Sequence, residues 1–128
     1  KIVLVLGKVE KEQKKLEENN ITIYNYLLSS ELQRLLNMSK VVICRSGYSS
    51  IMDLAVLEKK VFFIPTKNQT EQEYLAIYFS EKRIAPFCYE EDFSIAKLYD
   101  VENYSGLKYE ETRLNSSLLC LFESKRKL

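Results

Sequence analysis

Histidine is absent from all 128 residues. That excludes histidine-based general acid–base catalysis and histidine-ligated metal within this chain. Charge of one sign is also lacking: 19 basic residues stand against 18 acidic ones, a formal net charge of +1. So even a balance argues against broad electrostatic binding to nucleic acid or to an anionic membrane. No apolar run approaches the ~18 residues that a bilayer span needs, and no secretory leader is visible. Only three cysteines occur, Cys44, Cys88 and Cys120. An odd count without metal-type spacing fits a reducing compartment better than a disulfide framework. The sequons at Asn68, Asn103 and Asn115 carry no weight without a secretion signal. Low-complexity linkers and internal repeats are missing too.

What is present suffices for one domain with a core. Apolar residues make up 46% of the chain and aromatics 12%, well above the composition of disordered segments. The pattern alternates strand and helix. Ile2 to Leu6 reads as a buried strand ended by Gly7, and Glu10 to Asn19, rich in lysine and glutamate, as a solvated helix or helical turn. Ile21 to Tyr24 is a strand, and Ser30 to Asn37 a helix with Leu32, Leu35 and Leu36 on one face. Val41 to Cys44 is a strand, followed by a helix from Ser50 to Glu58 bearing Ile51, Leu54, Ala55 and Leu57. Val61 to Ile64 is a strand stopped by Pro65. Thr70 to Lys82 is a helix carrying Tyr74, Leu75, Ile77 and Tyr78. Ile84 to Phe87 is extended, Glu90 to Glu110 is loop or short helix, and Leu114, Leu118, Leu121 and Phe122 fit one face of a terminal helix. Near-continuous apolar strands between helices predict an α/β fold, a parallel sheet with helices on both faces. Ligands of such sheets bind at the carboxyl ends of the strands.

The most informative stretch runs from Val41 to Asp53, Val-Val-Ile-Cys-Arg-Ser-Gly-Tyr-Ser-Ser-Ile-Met-Asp. A strand, a small-residue turn and a helix aim backbone N–H groups and the positive end of a helix dipole at one point, which attracts phosphate. Asp53, one turn into the helix, can reach a neighbouring sugar hydroxyl. The plain alternative is an ordinary strand–turn–helix link with serine caps.

At Val42-Ile43-Cys44-Arg45-Ser46-Gly47 the chain resembles the carboxyl-terminal domain of family 28 glycosyltransferases. Val61-Phe62-Phe63-Ile64-Pro65, followed by Gln69-Thr70-Glu71-Gln72-Glu73-Tyr74-Leu75-Ala76, matches the family's strand ending in proline, polar loop and glutamine-bearing helix. The resemblance covers roughly Ile21 to Phe87. It implies a Rossmann-like domain, one half of a two-domain GT-B enzyme, which holds a nucleotide-sugar donor, usually a UDP-sugar. The other half, the amino-terminal domain, holds the acceptor and commonly the catalytic base. Since the chain starts at Lys1 with strand-like residues, it reads as a portion, 1–128, of a longer protein, without the donor domain's first strand and without the acceptor domain. The catalytic residues are therefore expected outside it, and the fragment alone is expected to be inactive.

Residue by residue, the resemblance implies that Ser46, Gly47, Tyr48, Ser49 and Ser50 contact the donor diphosphate through backbone amides and a hydroxyl. Gly47, lacking Cβ, lets the backbone come close. Asp53 stands where the family has a glutamate that binds the ribose hydroxyls; Ser50-x-x-Asp53 equally resembles a capping box. Gln72 and Glu73 stand where two polar residues, often both glutamine, contact the donor sugar. An ionised glutamate cannot donate a hydrogen bond, so Glu73 departs from the pattern, and Thr70-x-x-Glu73 is again a capping-box match. Ser30-x-x-Gln33 repeats that pattern where no ligand is expected. Tyr26 and Leu27 fall near the place that reads the nucleobase; Tyr26 otherwise packs on the sheet edge. Arg45 either neutralises phosphate or, as the favoured reading, pairs with a nearby carboxylate. No metal and no cofactor is expected.

The implied activity is transfer of a hexosyl group from a nucleotide carrier, UDP by family habit, to an acceptor hydroxyl, in the cytoplasm or at the inner face of the membrane. Expected partners are the donor, an acceptor and the missing amino-terminal domain, through which any peripheral membrane contact would run. Two alternatives remain: a nucleotide-sugar hydrolase of the same architecture, and a non-catalytic subunit that completes a partner's active site.

Overall fold

A computed structural model of the chain describes residues 1–109. The expected terminal helix and Cys120 lie outside the described residues. Among the described residues, five strands and three α-helices follow in the order β1 (Ile2–Val5), β2 (Lys15–Glu18), β3 (Ile21–Tyr24), α1 (Ser29–Met38), β4 (Val41–Cys44), α2 (Tyr48–Val56), β5 (Lys60–Phe63) and α3 (Thr70–Glu81). Two 3-10 segments, Glu90–Asp92 and Ile95–Asn103, come after. The architecture is mixed α/β with parallel strand pairs, and it divides into two compact units, Lys1–Met38 and a second that begins at Ser39. No helix among the described residues is long and apolar enough to cross a membrane.

The first unit holds a three-stranded sheet in the order β1-β3-β2. β1 runs parallel to β3, with Ile2 opposite Ile21 and Val5 opposite Tyr24. The lysine- and glutamate-rich stretch expected as a helix instead contains β2, antiparallel to β3, with Glu18 opposite Ile21. That register leaves Asn19 and Asn20 as a two-residue link. Asn19 sits at φ 54, the left-handed region that asparagine tolerates better than most residues. β2 is an edge strand, and its charged side chains suit an edge; Lys15 and Glu17 pair at 2.8 Å. β1, expected to be buried, is 37–44% exposed along Ile2 to Val5; it is the other edge of the sheet, paired on one side only. The loop between β1 and β2 is organised by Asn25, which is buried. Its Oδ1 accepts from the Lys14 and Tyr26 amides, and its Nδ2 donates to the Glu12 carbonyl and to Glu10.

The second unit carries the core. β4 and β5 are parallel, with Val41 opposite Lys60 and Cys44 opposite Phe63. The expected extended piece after α3 adds one parallel bridge, Phe63 to Phe87. Val61, Phe62 and Phe63 are fully buried between Ile51, Leu54 and Ala55 of α2, Leu75, Ala76 and Phe79 of α3, and Val101 and Leu107 further on. The buried face of α2 is the one its spacing predicts. In α3, Leu75, Ala76 and Phe79 are buried, whereas Tyr74 and Ile77 are exposed; Tyr74 to Phe79 is an unbroken apolar run, so periodicity gives that stretch no direction. Gly106 ties the end of this unit to β5. Its φ is +85, and a Cβ there would come within 3.2 Å of Lys60.

Candidate functional site

The carboxyl ends of β4 and β5 each lead through a short loop into a helix. After Cys44 the chain turns at Arg45, Ser46 and Gly47, and α2 starts at Tyr48. Gly47 is the N-cap, with φ −78 and ψ 145, and supplies no side-chain cap. These dihedrals suit any residue, and a Cβ at Gly47 would meet nothing within 4 Å. Neither backbone geometry nor packing therefore requires glycine here. Its effect is to leave open space in front of uncapped helix amides at Tyr48, Ser49 and Ser50, where the helix dipole is positive. Ser49 and Ser50 are exposed, and Tyr48 is half-buried.

Ser46 is different. It is fully buried, and its hydroxyl donates to the Gln72 carbonyl at 2.7 Å. The hydroxyl thus braces the turn after β4 against the first turn of α3. Asp53 lies on the outer face of α2, exposed. Ser50 is inside the helix rather than at its cap, so Ser50-x-x-Asp53 does not form a capping box, and the carboxylate stays available to a ligand.

The loop after β5 has the opposite character. Pro65 is buried, Asn68 is at φ 68, and α3 follows Gln69. The Gln72 Oε1 accepts from the Thr66 amide at 2.8 Å, and the Glu73 Oε1 accepts from the Asn68 amide at 3.3 Å. Both side chains named for sugar contact thus hold the loop that precedes their own helix. Gln72 keeps its Nε2 donors for a ligand, and Glu73 keeps its second oxygen. Thr70 is not the cap, so this capping box is not formed either; Glu73 reaches the Asn68 amide, five residues before it.

Arg45 takes the structural role. Its guanidinium donates to the Ile64 carbonyl and to Glu90, each at 3.0 Å. Tyr26 and Leu27 belong to the first unit, both half-buried. The Tyr26 amide donates to Asn25, and its carbonyl accepts from Gln13 at 3.2 Å, which fixes the chain there and occupies the backbone edge expected for a nucleobase. Burial pushes the Cys44 thiol up to about 12 and raises that of Cys88 as well, so both stay protonated and neither is a nucleophile at neutral pH.

Sequence reasoning missed the Ser46–Gln72 brace, which joins residues 26 positions apart, and the part played by Asn25. It also missed a cavity of about 390 Å³ lined by Pro65, Lys67, Tyr89, Glu90 and Glu91. Its signal in the sequence, the run Glu90-Glu91-Asp92, falls in the region read only as loop or short helix.

A helix start left open at the end of a parallel strand is the anion-binding arrangement of nucleotide-binding α/β domains. The chain belongs to glycosyltransferase family 28: residues 1–115 match the family's C-terminal domain. Among solved structures it is similar to the NMR solution structure of ALG13, at a TM-score of 0.52 and 22% identity, over 76% of this chain and 50% of that one. That likeness establishes the fold, and the chain spans half the length of the protein it resembles. No curated protein sequence matches it.

Proposed function

We propose that this domain is the donor-binding half of a glycosyltransferase that moves a sugar from a UDP-type carrier to an acceptor hydroxyl. The observation that carries the reading is Gly47, a glycine that neither the backbone nor the packing demands, set before uncapped amides. A diphosphate seated there accepts from the Tyr48, Ser49 and Ser50 amides, and from the Ser49 hydroxyl. Asp53 accepts from the ribose hydroxyls, and a carboxylate taking two hydroxyl donors makes strong charge-assisted bonds. Gln72 donates to the sugar.

The same groups serve the reaction. As the glycosidic bond to the carrier breaks, negative charge grows on the leaving diphosphate. Fixed amides and the dipole of α2 stabilise that charge without reorganising. The base that takes the proton of the acceptor hydroxyl comes from the amino-terminal domain of the family's architecture.

The test is calorimetric titration of the full-length protein with UDP and UDP-sugars. Saturable UDP binding, weakened at least tenfold by Ser49→Ala combined with Asp53→Ala, supports the reading. Absence of UDP binding by the folded protein overturns it. Product analysis with and without an acceptor then separates transfer from hydrolysis.

A further inference from the structure

Three consecutive residues at the end of β4 are tied to the neighbouring strand–loop–helix unit. The Cys44 carbonyl accepts from the Ile64 amide at 2.9 Å. The Arg45 guanidinium donates to the Ile64 carbonyl at 3.0 Å. The Ser46 hydroxyl, fully buried, donates to the Gln72 carbonyl at 2.7 Å. The first two bonds hold the turn to the end of β5, and the third reaches α3.

The Gln72 carbonyl does not need that third bond, because it lies in the first turn of α3, where the helix ladder supplies a partner. Nor does the turn need a hydroxyl. A buried O–H costs free energy unless it is bonded, and alanine would occupy the same place without that cost. The consequence of the bond is positional. Gln72 is held at two points, its carbonyl by Ser46 and its Oε1 by the Thr66 amide at 2.8 Å. A side-chain amide whose oxygen is taken by a backbone donor has its N–H groups left for a ligand, and both bonds set their direction. Ser46 also immediately precedes Gly47, the N-cap of α2. One side chain therefore joins the two groups that donor binding would use, the open amides of α2 and the Gln72 Nε2.

We infer that Ser46 is a positioning residue that couples the diphosphate contacts of the donor to its sugar contacts, without touching the donor through its own hydroxyl. The inference rests on the donor-binding function proposed for the domain. A diphosphate seated on α2 fixes the turn, the turn fixes Ser46, and Ser46 fixes the Gln72 N–H groups at the sugar. Calorimetric titration of the full-length protein with UDP, UDP-glucose, UDP-galactose and UDP-N-acetylglucosamine tests it in a double-mutant cycle. For at least one UDP-sugar, Gln72→Ala and Ser46→Ala are each expected to weaken binding fivefold or more. The two together should cost no more than twofold beyond the larger single loss. UDP, which lacks the sugar, should lose at least threefold less than that UDP-sugar in each variant. Ser46→Cys keeps the volume and gives up the strong donor, so it carries the measurement where Ser46→Ala does not fold. A serine that only stabilises the fold gives equal losses for UDP and UDP-sugar, or losses that multiply in the double variant. Either result overturns the inference, as does unchanged UDP-sugar binding in the Ser46 variants or in Gln72→Ala. All of these leave UDP binding by the unsubstituted protein intact, and so differ from its absence, which overturns donor binding and this inference together.

Discussion

Two loops leave the carboxyl ends of neighbouring parallel strands, and they solve the same problem in opposite ways. The loop after β5 satisfies itself: Gln72 and Glu73 reach back to the Thr66 and Asn68 amides. The turn after β4 does not, because Gly47 has no side chain to offer and the space before it is open. Amides left without a partner are tolerable where water or a ligand can reach them. On the proposed reading, the contrast separates the strand–loop–helix unit that is open to an anion from the one that holds its own shape. Ser46 connects them, since its hydroxyl lies in the first loop and its acceptor in the second.

The sharpest way to break the contrast is to make the first loop resemble the second. Gly47→Asp puts a carboxylate at the N-cap, where its dihedrals already fit. UDP affinity is expected to fall by roughly a hundredfold, about 2.7 kcal/mol. Stability should hold or rise by a few tenths of a kcal/mol, the usual gap between glycine and a capping side chain. Calorimetry and urea denaturation read the two effects separately. Next in size is Ser46→Ala, which removes the buried hydroxyl and its bond to the Gln72 carbonyl, leaving that carbonyl its helical partner within α3. A stability loss of roughly 0.5–1.5 kcal/mol by urea denaturation is expected, and an unchanged midpoint would show that the bond does not brace the two loops.

Asp53→Ala should weaken UDP binding about tenfold, roughly 1.4 kcal/mol, without shifting the melting temperature, because Asp53 is exposed and outside the core. Glu73→Ala probes the closed loop: loss of one exposed amide partner should destabilise by about 0.5–1 kcal/mol. The smallest effect at neutral pH concerns Cys44. Its folded thiol titrates near 12 against a usual value of 9. Below pH 9 the folded and unfolded thiols are both protonated, and stability is unaffected. Above pH 9 the unfolded thiol ionises first, so stability declines by at most about 1.4 kcal/mol per pH unit until the folded value is passed. Cys44→Ala should remove that part of the alkaline slope.

Local pattern carried much of this into view before any coordinates. β3 and β4 lie where their apolar runs place them, and α2 buries Ile51, Leu54 and Ala55 as their spacing requires. The turn at Arg45 to Gly47 was legible because strand, small residues and helix follow one another within a dozen positions. β2 was misread because lysine and glutamate suit a solvated helix and an edge strand alike, and only pairing with β3 decides between them. No face of α3 was legible, because the unbroken apolar run from Tyr74 to Phe79 has no preferred direction.

The sequence by itself determined the alternation of elements from β3 to α3, the family and the place of the strand–turn–helix at Arg45 to Gly47, because these depend on neighbours a few residues apart. Tertiary structure alone decided that Ser46 is a buried brace, that Gln72 and Glu73 hold a loop, and that Pro65, Lys67, Tyr89, Glu90 and Glu91 share a cavity. Those facts depend on which distant segments fold onto one another, and hydrogen-bond geometry across such segments leaves no periodic trace along the chain.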